Sequence, residues 1–408
     1  MVTAEFDLPA GHIYIPPVAL NQLPRNGVPE EDVLADVRSR FESNRFDQEK
    51  NFAISYSGTP APIAHKVEEM AVGEFFVEWA ADSESGTLSM EREAVGMMAG
   101  LLGKPSAPGF ITTGGTESNL AALRLARNNG GHSEPEFIVP VTIHFSFRLG
   151  AELMGIRLIE VGVDDHSLQP RITDVERAMT SRTIGIACSA PAGSLGTMEP
   201  VEEFADLAWR KGVYCHVDAA FGGFILPFMR ELGYDIPPFD LSLPGVSSIS
   251  TDGHKLGLMP ISTGFFIARD SSLFEAIPTE RTLIHTTSST KPGSRAAAAW
   301  ATLRHLGWVG YMRSTQHVLE LRDAIVDGVT AIPDMALAAP KFISVVGFTS
   351  SKIDLEGVHA RLLQQGWGHS YGELRGMPYI RLSIHPSRTR ESAEGFVRAF
   401  EAAVRAQW

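Results

Sequence analysis

From about Phe110 to Asp270 the chain alternates short, continuous apolar runs with segments whose apolar residues recur every three or four positions. The runs GFIT, EFIVPV, IRLIEV, TIGIAC, GVYCHV, VSSIS and TGFFIA predict strands. Helical spacing follows several of them, as in ESNLAALRLARN and VEEFADLAWRKG. Such alternation predicts an α/β fold with a mostly parallel sheet covered by helices on both faces. Upstream, VPEEDVLADVRSRFES reads as a helix, with Pro29 early and acids in the first turn. APIAHKVEEMAVGEFFVEWA and SMEREAVGMMAGLLG read as two more, and KPGSRAAAAWATLRHLG opens a helical stretch to about Val329. FISVVGFTS, a helix, YIRLSIH and a final helix predict a small C-terminal α+β domain over 331–408. Residues 61–330 then form the large domain, and residues 1–60 an arm and helix. The first 28 residues, rich in Pro and Gly, read as an arm wrapping another surface, such as a second subunit.

At 408 residues the chain is long enough for one large and one smaller domain. Its net charge of −13 argues against nucleic acid or an anionic membrane as a partner. Cys188 and Cys215 are the only cysteines, which makes neither a disulfide framework nor a zinc spacing, so no metal is expected. The reducing cytoplasm is the expected compartment. The N-terminus lacks a basic region followed by an apolar one, and no apolar run approaches the ~20 residues of a membrane span.

In an open α/β sheet, ligands bind beyond the carboxyl ends of the strands, and polar clusters fall at several such ends here. ITTGGTESNL follows a strand and opens a helix. Gly114 and Gly115 let backbone approach a ligand, and the Thr113–Thr116 amides lie where a helix N-terminus favours an anion. A turn before a capped helix explains the same residues. In YCHVDAAFGGF, Asp218 is a helix cap, a buried ion-pair partner or the acid that holds a cationic ring nitrogen; Ala219 and Ala220 leave room for a flat ring. His144, in VTIHFSFRLG, is a structural residue or one that faces a ligand. In SISTDGHKLGLMP, Lys255 beside His254 sits close to a buried strand, where a lysine must be paired, reach water or do chemistry. Together the four clusters match the division of labour expected for pyridoxal phosphate. A lysine condenses with the aldehyde, an acid faces the pyridinium, a helix terminus holds the phosphate and an imidazole covers the ring.

TTGGTESN, HVDAAFGGF and the aspartate-x-His-Lys run in combination resemble the group II pyridoxal-phosphate-dependent decarboxylases of the aspartate-aminotransferase fold, fold type I. That family also holds the sphingosine-phosphate lyases. HFSF, HVDAAFGG, GHKLGLMPI and YIRLSIHPSRT look like the small archaeal tyrosine/aspartate decarboxylases and the bacterial glutamate decarboxylases. TTGGTES, SAP, FMRELGY and PGSRAAAAWATLRHLG look like the lyases. The lyases carry a phosphate-binding lysine six residues past the cofactor lysine, where this chain has Ile261, which favours an amino-acid decarboxylase. The alternative is a carbon–carbon lyase of a phosphorylated amino alcohol.

By this resemblance Lys255 carries the cofactor, His144 stacks on its ring, Asp218 keeps the ring nitrogen protonated and Ala220 packs on the other face. Thr113, Gly114, Gly115, Thr116 and His254 hold the phosphate. The family's mobile-loop tyrosine is missing from TERTLIHTTSSTKPGSR, which leaves His285 as the neutral-pH acid there. The threonine that contacts the cofactor's phenolic oxygen is also missing, with Ala192 and Gly193 in its place. Tyr56 and Arg381 are the candidate substrate contacts. Arg381 reads equally as a surface ion pair, and Tyr56 as a core or interface residue. Family members are homodimers, so the PGSR turn at 292–295, with Ser294, is the candidate for reaching a neighbour's cofactor phosphate.

Overall fold

The computed structural model describes residues 27–43, 47–53, 58–77, 86–277, 290–374 and 376–407. First come α1 (Glu30–Ser43), α2 (Pro62–Met70), β1 (Phe75–Val77) and α3 (Gly86–Leu101). Next are β2 (Gly109–Thr112), α4 (Gly115–Gly130), β3 (Glu136–Pro140), α5 (Ser146–Met154) and β4 (Arg157–Val161). The chain continues through α6 (Ile172–Ala178), β5 (Thr183–Ser189), α7 (Val201–Lys211), β6 (Tyr214–Asp218) and α8 (Leu226–Glu231). β7 (Ser248–Asp252), β8 (Gly264–Ala268), β9 (Thr290–Pro292) and α9 (Gly293–Thr330) follow. The last elements are β10 (Ala336–Leu337), β11 (Val345–Thr349), α10 (Leu355–Gln364), β12 (Ser370–Leu374), β13 (Met377–Ser383) and α11 (Arg390–Arg405).

The seven apolar runs are the seven strands of one sheet, ordered β2-β8-β7-β6-β5-β3-β4. β4, β3, β5, β6 and β7 run parallel, and β8 is antiparallel to both its neighbours. Side chains alternate between two cores, as the period of two in a strand requires. Ile138, Cys188, Cys215, Val217, Phe265 and Ile267 meet α3, α7, α8 and α9 on one face. Phe137, Val139, Ala187, Tyr214 and Phe266 meet α4 and α5 on the other. Sheets buried on both faces lose the polar alternation of an exposed strand, which is why these segments read as unbroken apolar runs. This is the α/β architecture expected from the pattern, and it agrees with the fold type I that the resemblance implies.

A separate four-stranded antiparallel sheet, β10-β11-β13-β12, is backed by α10 and α11. Its edge strand β12, SYGEL, has too little apolar content to stand out in the sequence. Two expectations are corrected. The helix drawn from 61 to 80 stops at Met70; a turn through Gly73, whose φ of 90° only glycine adopts without strain, leads into β1, which pairs with β9. PGSR is not a free turn, because Pro292 ends β9 and Gly293 begins α9. α9 itself breaks at Gly307, where φ is 56° and ψ −170°, so two rods meet at an angle.

Candidate active site

The carboxyl ends of β3, β5, β6 and β7 and the first turn of α4 converge on one edge of the large sheet. Asp218 is the last residue of β6 and Asp252 the last of β7, both buried. Gly114 caps α4 with φ 136° and ψ −179°. A Cβ on Gly114 would lie 2.9 Å from His254 Cε1, and one on Gly115 would lie 3.1 Å from Asp252 Oδ2 and 3.4 Å from the Ala220 Cβ. Four of the candidate residues, from three separate motifs, thus share one small space. The glycines keep it open.

Lys255 Nζ sits 2.9 Å from Asp252 Oδ2 and 4.3 Å from the centroid of the Phe221 ring. Asp252 Oδ1 is buried and has no hydrogen-bond partner among the described residues. The backbone around the lysine is clamped from three directions. His385 lies beside the Lys255 backbone, the Tyr311 hydroxyl donates to the Gly257 carbonyl at 2.9 Å, and the Ala61 amide donates to the Leu258 carbonyl at 2.8 Å. His254 Nδ1 donates to the Thr263 carbonyl at 2.8 Å, which points its other nitrogen toward Asp252 Oδ2, 3.8 Å away.

Asp218 accepts at both oxygens: from Asn119 Nδ2 at 2.8 Å on Oδ2, and from the Ala220 amide at 3.0 Å on Oδ1. His144 lies open to the cleft, 2.8 Å through Nδ1 from the Ser146 hydroxyl. Desolvation by the surrounding protein holds its imidazole below the usual pKa, outweighing the opposite pull of Asp218. Glu199, fully buried, accepts from the Ser189 amide at 2.6 Å and the Thr142 hydroxyl at 2.5 Å, tying the end of β5 to the loop that carries His144. Burial pushes its pKa up to about 7.

The site edge also receives Arg381 from β13. Its Nη2 donates to the Gly193 carbonyl at 2.6 Å, and its buried Nε has no partner among the described residues. A Cβ on Gly193 would lie 3.3 Å from the Phe221 ring that also faces Lys255, so the guanidinium borders the same cleft. Thr113 is turned away from it: both its amide and its hydroxyl donate to Glu117, at 2.7 and 3.0 Å. Thr116 lies in the first turn of α4, where backbone amides lack intrahelical acceptors. Ser294 is in the first turn of α9, whose neighbour Arg295 pairs with Glu68. Tyr56 and His285 lie outside the described residues.

These residues fit a phosphorylated pyridine aldehyde. The glycine cradle and helix N-terminus suit a phosphate, the buried Asp218 suits a ring cation, and the unpartnered Asp252 Oδ1 and Arg381 Nε await polar groups. Asp252 is the acid of the aspartate-x-His-Lys run, whereas Asn119 and His216 stand inside the quoted motifs with nothing in the sequence to give them a role. Tyr311 and His385 reach the lysine from more than fifty residues away, so only the fold reveals them.

Residues 23–351 match the family model described as the pyridoxal-dependent decarboxylase conserved domain. The chain is 37% identical over 393 residues to a probable L-aspartate decarboxylase of Thermococcus gammatolerans, covering 94% of this chain and 99% of that one. It is 36% identical over 296 residues to a sphingosine-1-phosphate lyase of Oryza sativa subsp. japonica, covering 68% of this chain and 54% of the other. Among solved structures, a sphingosine-1-phosphate lyase of Burkholderia pseudomallei superposes with a TM-score of 0.86 at 29% identity, over 95% of this chain and 93% of that one.

Proposed function

The chain belongs to the pyridoxal-dependent decarboxylase family, and from that premise we propose that it releases the α-carboxyl group of L-aspartate as CO2. It is a pyridoxal-phosphate-dependent amino-acid decarboxylase; the choice of aspartate over tyrosine or glutamate is the proposed part. What carries the reading is the single cleft that gathers Lys255, Asp252, His254, Ala220 and the Gly114–Gly115 cradle. Relatives named for aspartate decarboxylation align along nearly the whole chain.

When bound, the cofactor supplies a protonated ring that accepts the electrons of the breaking bond. The residues around it do the rest. Lys255 would supply the amine that holds the cofactor. Asp218 keeps the proton on the ring nitrogen, His144 covers one face of the ring and Ala220 bounds the other. Gly114, Gly115, Thr116 and His254 would hold the phosphate, whereas Thr113 is engaged by Glu117. Arg381 would offer a guanidinium to a substrate carboxylate and so fix the substrate's orientation in the cleft. Tyr56 is assigned to the substrate, and His285 to returning a proton to the substrate carbon.

Two copies complete the site in this reading. α1 is exposed along its length with Val33, Leu34, Val37 and Phe41 on one side, and Phe145, Leu149 and Leu153 form an exposed stripe on α5 beside His144. Burying such stripes favours a homodimer in which Ser294 approaches the neighbour's phosphate site. The separate small sheet supports a division into an arm at 1–60, a large domain at 61–330 and a small domain at 331–408. A cytoplasmic location is supported by two free, buried cysteines. Among the described residues no helix is long and apolar enough to cross a membrane.

The lyase reading has the rice and Burkholderia relatives in its favour. Against it, the position where a lyase lysine would stand is Ile261, an exposed apolar side chain. One experiment separates the two. Purified protein is supplied with each common amino acid and, separately, with a phosphorylated long-chain amino alcohol. CO2 from aspartate supports the proposal. An aldehyde with phosphoethanolamine, and no CO2 from any amino acid, overturns it.

A further inference from the structure

Beneath the cleft, on the α4 side of the sheet, a run of buried polar side chains ends on Asp218. Asn119 has its full complement of four hydrogen bonds. Its Nδ2 donates to Asp218 Oδ2 at 2.8 Å and to the Ser146 hydroxyl at 3.0 Å, and its Oδ1 receives His216 Nε2 at 3.0 Å and the Ser250 hydroxyl at 3.1 Å. Beyond it, His216 Nδ1 lies 2.7 Å from the Ser248 hydroxyl, which accepts from Tyr214 at 2.7 Å. Asn119, His216, Ser248 and Ser250 are all at most 1% exposed.

The proton on each of these atoms follows by elimination. Asp218 accepts at both oxygens, so Asn119 turns its NH2 toward it and its carbonyl toward His216. A carbonyl only accepts, so His216 carries its proton on Nε2. Its Nδ1 then accepts from Ser248, whose oxygen in turn accepts from Tyr214. On the other branch Ser146 accepts from Asn119 and gives its own proton to His144 Nδ1, which also receives the Ser146 amide at 3.3 Å. His144 is therefore neutral with its proton on Nε2. Burial keeps His216 neutral as well, its pKa pushed down to about 4.

We infer that Asn119 is a positioning residue that sets two groups at once: it orients the Asp218 carboxylate toward the cofactor's ring nitrogen and holds His144 in the Nε2–H form over the ring. Every dipole from Tyr214 through His216 to Asn119 points its positive end at Asp218, which stabilises the carboxylate in a low-dielectric setting. The inference rests on the cofactor assignment made above.

The test compares pyridoxal phosphate with its analogue in which the ring nitrogen is replaced by carbon, binding being measured by fluorescence quenching of the full-length apoprotein. Asn119→Leu weakens pyridoxal phosphate by about tenfold to a hundredfold, the loss of one hydrogen bond to a charged group, and leaves the carbon analogue within about twofold of wild type. Equal loss for both ligands, or none for either, overturns the inference. Asn119→Ser serves if the leucine variant does not fold. A second measurement needs no variant of Asn119. In [15N]histidine-labelled apoprotein, assigned with His144→Gln and His216→Gln, both imidazoles carry their proton on Nε2. A proton on Nδ1 of either one overturns the relay. If wild type binds neither ligand, the functional reading fails, and the labelled histidines still decide the relay.

Discussion

Arg381 Nη2 donates to the Gly193 carbonyl across 2.6 Å, joining a strand of the small sheet to the loop that follows β5 of the large one. A partly buried guanidinium with one nitrogen satisfied and a buried Nε that has no partner among the described residues is costly unless an anion arrives. Arg381→Gln raises the KM for the amino acid by about tenfold to a hundredfold, the worth of a charge-assisted pair, and leaves pyridoxal phosphate affinity within about threefold. Steady-state kinetics and cofactor titration on the same preparation check this. An unchanged KM removes Arg381 from the substrate site.

Gly264 begins β8 against the cradle, where an added Cβ would lie 2.6 Å from Gly114 Cα and 2.6 Å from Thr112 Oγ1. One of those atoms is backbone, so the cradle itself must shift. Gly264→Ala costs about 1–3 kcal/mol in urea unfolding and loosens cofactor binding by about tenfold. Gly162→Ala, where a Cβ meets nothing within 4 Å, is the matched control and changes neither quantity.

His216 makes the fold sensitive to acid. Its folded pKa of about 4 lies below the ordinary 6.5, so between these values the unfolded chain takes up a proton that the folded one refuses. The stability it contributes is complete above pH 6.5 and drains away as pH falls toward 4, to the extent of about 3 kcal/mol. Urea midpoints at pH 7, 6 and 5 decline in wild type, and less steeply in His216→Gln. Identical slopes contradict the assignment.

Glu199 acts with the opposite sign. Its folded pKa of about 7 lies above the ordinary 4.5, so the folded chain keeps a proton that the unfolded one gives up. Its contribution is present below pH 4.5 and is lost as pH rises through 7. Glu199→Gln mimics the protonated form. It gains on wild type between pH 5 and pH 8 by at most about 3 kcal/mol, read from urea unfolding at the two pH values. A constant difference across that range refutes the raised pKa.

The large sheet is legible because all its strands but the half-exposed edge strand β4 are buried on both faces, and the candidate site residues because they stand at strand ends beside glycines. Asn119 and His216 were harder to read. A lone Asn in a helix and a lone His in a strand look like filler until the two elements are packed, and their meaning is a matter of which face they share. β1, β9 and β12 escaped notice because strands of three to five residues with polar or proline content carry too little periodicity. The break at Gly307 was hidden by unbroken helical spacing on either side of it.

β8 runs against its neighbours, and this decides how Lys255 is tethered. Had β8 run parallel to β7, the connection would have crossed the whole sheet through a helix. Instead the chain turns back at once, and residues 253–263 form a short loop anchored at both ends on adjacent strands, paired from Asp252 to Gly264. Closing so short a loop leaves the lysine few alternative positions to lose in the bond to the cofactor proposed for it. Much of the entropic cost of presenting that amine is thus met during folding, before any cofactor is bound.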